Sequence, residues 1–301
     1  MKFAEIGYIK DDESLWISGF AQKLPKPLKT KYLTAFVPLK TEEVTMLDED
    51  GLKITLPITK NEDNQALRVR VIKKACAMIM EKDIKVIINP DNIAFPLGFM
   101  EANGALANAI FADQLLKMAA DIKDIDLATA EVVLVDGYNF NTIAVLEAIK
   151  AEVNHLCIYT CRKKILSDVI NSIYEETGLV IECFSSPKSK CMVEGDVIIN
   201  CSSDMDNYDY AFKKESVFIE ASGYLSKVAR MIQKRTDMFF VTNFTATVKD
   251  EETNARAIEA LLFTKNSDIH DAMKGVCSPM EAKKILGYIH KPQIVLKQIK
   301  R

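Results

Sequence analysis

The sequence predicts an α/β protein of two domains, a doubly wound parallel sheet preceded by a smaller α/β domain. Three observations carry this. From Ala130 onward, short aliphatic runs alternate regularly with helix-like stretches. Each run is apolar at nearly every position rather than every second one, as in strands covered on both faces. The chain of 301 residues is also comfortable for two cores.

In chain order, FAEIGYI (Phe3–Ile9), YLTAFVPL (Tyr32–Leu39) and LKITLPI (Leu52–Ile58) read as strands. Arg68 to Met80 reads as a helix, and Ile84 to Pro90 as a buried strand ended by its proline. Glu101 to Ile122 is rich in Ala, Leu and Met, with Leu106, Ile110, Leu115 and Met118 near helical spacing. It is expected as one long helix joining the domains. Strands follow at Glu131–Val135, His155–Thr160, Leu179–Cys183, Asp196–Cys201, Val217–Ala221 and Met238–Thr242. Between them, Thr142–Ala151 and Lys163–Glu176 read as helices, the second amphipathic and stopped by Gly178. The tail from Asp250 reads as helical, with an apolar face over Ala255–Phe263. Ser278-Pro279-Met280-Glu281 forms a capping box, and Gly287 is the expected stop. The expected division is residues 1–127 for the first domain, completed by the helices of 251–301, and 128–250 for the second.

Composition narrows the function classes. A net charge of -3 gives no global field for nucleic acid or membrane. The seven cysteines include no C-x-x-C pair, which argues against a disulfide framework and fits a reducing cytoplasm. Glu5 interrupts the N-terminal stretch before a signal-peptide core forms, and no apolar run is long enough to span a bilayer. The expected partner is a small-molecule substrate, with no nucleic acid and no membrane, and a homodimer remains open.

Three segments in order carry a resemblance. VVLVDGYNFNTIAVLEAI (Val132–Ile149) is a strand, a turn and a helix. YTCRKKILSDVINSIYEETG (Tyr159–Gly178) is a strand end, a basic polar turn and an amphipathic helix. GDVIINCSS (Gly195–Ser203) is a strand entering a Ser-bearing turn. Over about Val132 to Asn243 the chain resembles the nucleotide domain of the shikimate dehydrogenase and glutamyl-tRNA reductase group of Rossmann proteins. That resemblance implies a nicotinamide dinucleotide as cofactor. ITLPITK (Ile54–Lys60) is similar to the V-T-x-P-x-K stretch that carries the group's catalytic Lys, with one extra residue between Pro57 and Lys60 and no evident N-T-D partner. It implies a catalytic role for Lys60. The residues alone read as a solvated Lys before Asn61-Glu62-Asp63.

The phosphate loop departs from G-x-G-x-x-G. Its three positions are Gly137, Asn139 and Thr142. In the fingerprint the first glycine makes the turn, the second admits the pyrophosphate, and the third lets helix and strand pack. Asn139 is the best non-glycine substitute for an unusual backbone angle, but its side chain occupies space. Asp136 places negative charge beside the turn, while the helix N-terminus still offers N–H groups and a positive dipole. The second strand ends Thr160-Cys161-Arg162-Lys163-Lys164, without the carboxylate that holds an NAD ribose. Three cations there favour a 2′-phosphate and hence NADP, with NAD kept open.

The reading favoured is a cytoplasmic, NADP-preferring oxidoreductase acting on a small polar metabolite held between the domains. Cofactor contacts are expected from Gly137, Tyr138, Asn139, Phe140, Asn141, Thr142, Thr160, Arg162, Lys163, Cys201, Ser202, Ser203, Ser222 and Gly223, all at carboxyl ends of strands. The alternative is a Rossmann-type ligand- or partner-binding protein without catalysis, its phosphate loop degenerate. A third reading comes from LVDGYN, which also resembles the opening of NYN/PIN-like nucleases. There Asp136 would share a metal with acids such as Asp196, Asp204 or Asp206. No metal site is expected otherwise. His155, His270 and His290 lie in no motif, and a zinc site of His155, Cys157 and Cys161 lacks the usual ligand spacing.

Overall fold

The structure, a computed structural model, describes residues 2–10, 23–36, 38–95, 98–185, 194–203, 212–274, 277–289 and 291–300. The chain forms two compact units, Met1–Asn103 and Gly104–Arg301.

The first unit contains β1 (Phe3–Tyr8), α1 (Lys26–Phe36), β2 (Lys40–Met46), β3 (Glu49–Leu56), α2 (Gln65–Glu81), β4 (Val86–Ile88) and β5 (Met100–Ala102). Its sheet runs β2-β3-β1-β4-β5. Only β2 is antiparallel, joined to β3 by a tight turn through Leu47 and Asp48, both at positive φ. Ile6, Ile54, Leu56, Leu67, Val71, Ile79 and Ile87 fill the core. The segment Tyr32–Leu39, expected as a strand, is instead helical through Phe36. Leu28, Tyr32 and Phe36 recur every four residues, and the last two rings stack at 4.8 Å. The aromatic and aliphatic content concealed that period.

The second unit opens with α3 (Ala105–Ile110) and α4 (Ala112–Lys123). These are two helices rather than the expected single one. They break at Phe111 (φ -105, ψ 25), whose ring meets Phe244 edge-on. The sheet strands β6 (Glu131–Val135), β7 (His155–Tyr159), β8 (Ile181–Phe184), β9 (Val197–Asn200), β10 (Val217–Glu220) and β11 (Phe239–Val241) follow. Interleaved helices are α5 (Phe140–Ile149), α6 (Lys163–Thr177) and α7 (Leu225–Lys234). The six strands are all parallel and lie in the order β8-β7-β6-β9-β10-β11. Numbered within the sheet this is 3-2-1-4-5-6, the Rossmann order, reversing direction between β6 and β9. Near-continuous burial of Val132–Val135, Val197–Ile199 and Val217–Ile219 explains why their sequences show no alternation.

The tail departs from the expected division. It comprises β12 (Asn243–Val248), β13 (Glu251–Asn254), α8 (Ala255–Lys265), α9 (Ser267–Lys274), α10 (Pro279–Tyr288) and β14 (Val295–Lys300). The three strands form an antiparallel sheet, β13-β12-β14; β13 and β14 stand where helix was expected from Asp250, and β12 was not read at all. These helices lie in the compact unit Gly104–Arg301. Gly104 precedes α3 with no side chain to cap it, and Glu259 on α8 does so instead, its Oε2 accepting the Leu106 and Ala107 N–H groups at 2.8 and 3.3 Å. Helix α10, opened by the expected Ser278–Glu281 capping box, docks on α5 and α6. There Lys283 Nζ meets Glu176 at 2.6 Å and Glu147 at 3.2 Å.

Candidate functional site

Fourteen of the fifteen candidate residues gather at the carboxyl ends of the six-stranded sheet, on the turns after β6, β7, β9 and β10 and the first residues of the helices α5 and α6. Lys60 does not. It lies in an exposed turn of the first unit, where its carbonyl faces the Arg68 guanidinium at 3.5 Å.

The turn after β6 is organised around Asp136, whose side chain is fully buried. Its Oδ1 accepts from the Tyr138 N–H (2.9 Å), the Thr142 hydroxyl (3.0 Å) and Arg162 Nη2 (2.8 Å). Its Oδ2 accepts from the Thr160 hydroxyl (2.6 Å) and Arg162 Nε (2.8 Å). Burial pushes this carboxyl upward, but the bonds from Arg162, Thr160 and Tyr138 outweigh it and hold the group below the ordinary Asp range. Asp136 is therefore the ionised hub that binds the first two strand ends together. Sequence reasoning had given it a repulsive role beside a phosphate, or a shared metal in the nuclease reading.

That hub changes the assignment of Arg162. Its guanidinium, expected to face a 2′-phosphate, is instead a two-point partner of Asp136. The exposed side of the pair is covered by Tyr138. The guanidinium carbon lies 5.2 Å from the ring centroid, and the Tyr138 hydroxyl accepts the Cys161 N–H at 3.2 Å. Tyr138 holds this position at φ 57 while its side chain stays exposed. Lys163, the first residue of α6, is exposed.

The three fingerprint positions have distinct jobs. A Cβ at Gly137 would lie 1.8 Å from the Cys201 carbonyl oxygen, so only glycine lets this turn approach β9. Asn139 caps α5, its Oδ1 accepting the Thr142 N–H at 3.1 Å while its Nδ2 donates to the Cys201 carbonyl at 3.0 Å. Its backbone is extended (φ -133), so no left-handed angle is demanded there. Thr142 is fully buried, and its hydroxyl accepts the Gly137 N–H at 3.0 Å. This turn thus spends several of its own donors on its own side chains. The first two helical N–H groups, of Phe140 and Asn141, have no acceptor among the described residues. Those two groups and the dipole of α5 fit an anion; the Asn139 side chain narrows its approach.

A second network closes the ends of β9 and β10. Asn200, fully buried, donates from Nδ2 to Glu220 Oε2 and to the Ser202 carbonyl, both at 3.0 Å. Glu220 Oε1 accepts the Ser222 N–H at 2.5 Å, and Gly223 follows at φ 76. Two buried amides pin the neighbouring backbone. Asn141 Nδ2 donates to the Ala221 carbonyl at 2.7 Å, and Asn108 Nδ2 to those of Glu220 (2.7 Å) and Thr242 (3.0 Å). Their Oδ1 atoms are buried without a hydrogen-bond partner among the described residues. Asn108, Asn200 and Glu220 were missed in sequence. A polar residue on an apolar strand or helix was the available signal. Ser203 is exposed beside this network, whereas Cys201 is buried to the point that its thiol is pushed well above the ordinary range. A thiol so raised does not serve as a nucleophile at neutral pH.

Two of the acids named for a metal site are already paired. Asp136 is committed to Arg162, and Asp196, at the opposite end of its strand, pairs with Lys213 at 2.7 Å. Asp204 and Asp206 lie outside the described residues, as does His290. Among the described residues no group of three potential ligands converges.

No known family profile and no curated protein sequence matches the chain. Solved structures do. A 5-ketofructose reductase of Gluconobacter sp. strain CHM43 is 12% identical over 95% of this chain and 98% of that one, with a TM-score of 0.35. Shikimate 5-dehydrogenase from Listeria monocytogenes is 9% identical over 95% and 96%, with a TM-score of 0.34. L-tryptophan dehydrogenase from Nostoc punctiforme is 10% identical over 93% and 79%, with a TM-score of 0.37. Likenesses of this size carry no argument about activity, and the Rossmann-type fold rests on the strand order itself. Among the described residues no helix is long and apolar enough to cross a membrane.

Proposed function

We propose that this chain is an NADP-preferring oxidoreductase acting on a small polar metabolite. The observation that carries the reading is the carboxyl edge of the six-stranded sheet. The strand order reverses between β6 and β9, Gly137 packs against the β9 turn, and the Phe140 and Asn141 N–H groups open α5 without an acceptor among the described residues. Bound there, a nicotinamide cofactor would supply or accept a hydride. The NADP preference now rests on Lys163 and Lys164 rather than on Arg162. Arg162 compensates the charge of Asp136 at the end of β6. No Asp or Glu ends β7 to hold a 2′-hydroxyl.

The test is a titration with NADPH and NADH at fixed moderate salt. NADPH is expected to bind more tightly, and Lys163→Ala to reduce that preference by roughly 1–3 kcal/mol, the scale of a charged hydrogen bond. Equal affinities in the wild type would remove the NADP assignment. Lys60 is the proposed proton-transfer group. Lys60→Ala is expected to lower turnover ~10²-fold, and unchanged turnover returns it to a solvated turn.

One observation favours a second reading, a binding protein without redox activity. Asn139 and Thr142 fill the space that two glycines leave in the fingerprint, and both are bonded into the turn. A wild-type protein that binds neither dinucleotide at millimolar concentration would select it.

A further inference from the structure

Arg256, the second residue of α8, carries a guanidinium that pairs with no carboxylate among the described residues. Its Nε is buried and has no hydrogen-bond partner there. The residue is part-buried, so water compensates the charge poorly. The helix works against it too, because a cation in the first turn faces the positive end of the dipole. The acid one turn along α8, Glu259, offers no relief. It turns its Oε2 to the Leu106 and Ala107 N–H groups and makes no ion pair with Arg256. The place of Arg256 is fixed by its neighbours. Asn254 caps α8 by accepting the Arg256 and Ala257 N–H groups at 3.0 and 3.2 Å. A Cβ at Gly104 would come 3.7 Å from Arg256 Cγ. From Gly104, α3 leads in one turn, about 6 Å, to Asn108, which donates to the Glu220 and Thr242 carbonyls. Arg256 therefore stands close to the carboxyl ends of β10 and β11, the edge at which open α/β sheets receive ligands.

We propose that Arg256 receives a carboxylate of the substrate, so that the small polar metabolite of the oxidoreductase reading is a carboxylic acid. The proposal rests on that reading for calling the ligand a substrate. An anion relieves both penalties at once, the missing counter-charge of the guanidinium and its clash with the helix end. The planar fork of arginine matches a carboxylate through two parallel N–H bonds. The phosphates of a dinucleotide belong elsewhere, at the start of α5 after β6. In the sheet, β10 and β11 lie two and three strands from β6. At ~4.8 Å per strand that is roughly 10–14 Å, so the anion at Arg256 belongs to a second molecule. Held there, the carboxylate anchors the substrate at one end and leaves the rest of it free to lie along the strand ends. Arg256 then sets which substrates bind without touching the reacting atoms.

The test uses the full-length protein and malonate as the carboxylate probe, with inorganic phosphate in parallel at constant ionic strength. By calorimetry, malonate is expected to bind the wild type about tenfold or more tightly than it binds Arg256→Gln. Arg256→Lys keeps the charge and loses the fork, so its Kd should fall between the two. Heteronuclear NMR of the arginine Nε–H groups gives a second readout on the wild type itself. The Arg256 signal, identified by its absence from Arg256→Lys, should shift along the malonate titration, and it carries the test should Arg256→Gln melt early. The same Kd in all three proteins, an unmoved Arg256 signal, or phosphate bound as tightly as malonate overturns the proposal. Malonate carries no nicotinamide, so the two readings fail separately. Malonate binding that needs Arg256, with no NADPH binding to the wild type, would keep the carboxylate site and remove the oxidoreductase reading. NADPH binding without malonate binding would do the reverse.

Discussion

At the scale of single residues, Gly137 and Asp136 divide the work of the β6 turn. Gly137 supplies proximity, since any Cβ would meet the Cys201 backbone oxygen at 1.8 Å, and backbone cannot swing aside as a side chain can. Gly137→Ala is expected to destabilise the protein by about 1–3 kcal/mol, the range of forced overpacking, seen as a lowered denaturant midpoint. A wild-type midpoint would mean that this contact is not held in solution. Asp136 supplies charge, compensated by Arg162, whose side chain is 13% exposed against 0% for Asp136. Removing one partner strands the other in a poorly solvated place. Arg162→Ala is therefore expected to cost about 3–5 kcal/mol, far more than a surface pair. The sign of the pH dependence follows from the depressed carboxyl. Its stabilisation is fully present above the unfolded Asp range and is lost as pH falls through the lower folded value. The doubly substituted Asp136→Asn, Arg162→Met protein should show a flatter acid limb of stability than the wild type. An acid limb of unchanged slope would assign that dependence to other carboxylates, such as Glu176, held down to about 2 by Lys150 and Lys283.

Elements were legible where one physical signal dominated. The six strands of the large sheet declared themselves through unbroken aliphatic runs, and helix α6 through its apolar stripe and the Gly178 stop at φ 78. Segments with two competing signals were misread. Tyr32–Leu39 combined strand-like composition with a four-residue period, and the period won. The strand β12, NFTATV, carries alternating threonines between the sixth strand and the tail and went unread, and its partner β14 lies far along the chain, so the pairing left no local mark. The candidate site shows the same split. The positions of Gly137, Thr160 and Ser222 followed from strand ends. The partner of Arg162 did not, because a pairing across β6 and β7 is invisible until register brings Val135 beside Tyr159. Helix α3 offers the test at this scale. It is six residues long, too short to persist alone, and Glu259 from α8 caps it. Glu259→Ala leaves two buried N–H groups without an acceptor and is expected to destabilise by about 2 kcal/mol or more. Amide exchange at Leu106 and Ala107 should accelerate with it. Faster exchange elsewhere with these two unchanged would place the loss outside the cap.

On the scale of the whole molecule, the division at Gly104 decides what the tail is for. The residues after Asp250 are held by contacts within the unit Gly104–Arg301. Helix α8 caps α3, α10 docks through Lys283 onto α5 and α6, and β14 pairs with β12. Phe244 on β12 is fully buried against Phe111 between α3 and α4. The apolar surface that the tail covers therefore belongs to the second unit, and so does the stabilisation gained by covering it. A chain of residues 104–301 alone is expected to fold, with one cooperative thermal transition and the far-UV signature of a mixed α/β protein. Its affinity for NADPH should match that of the intact protein, because Gly137, Arg162 and Lys163 are all carried within it. Truncation at residue 250, by contrast, uncovers α3 and the β12 edge and should yield an aggregating or expanded chain. If the 104–301 fragment is unfolded while the 1–250 fragment is compact, the boundary at Gly104 is geometric only. The tail would then stabilise the chain through contacts other than those with α3, α5 and α6.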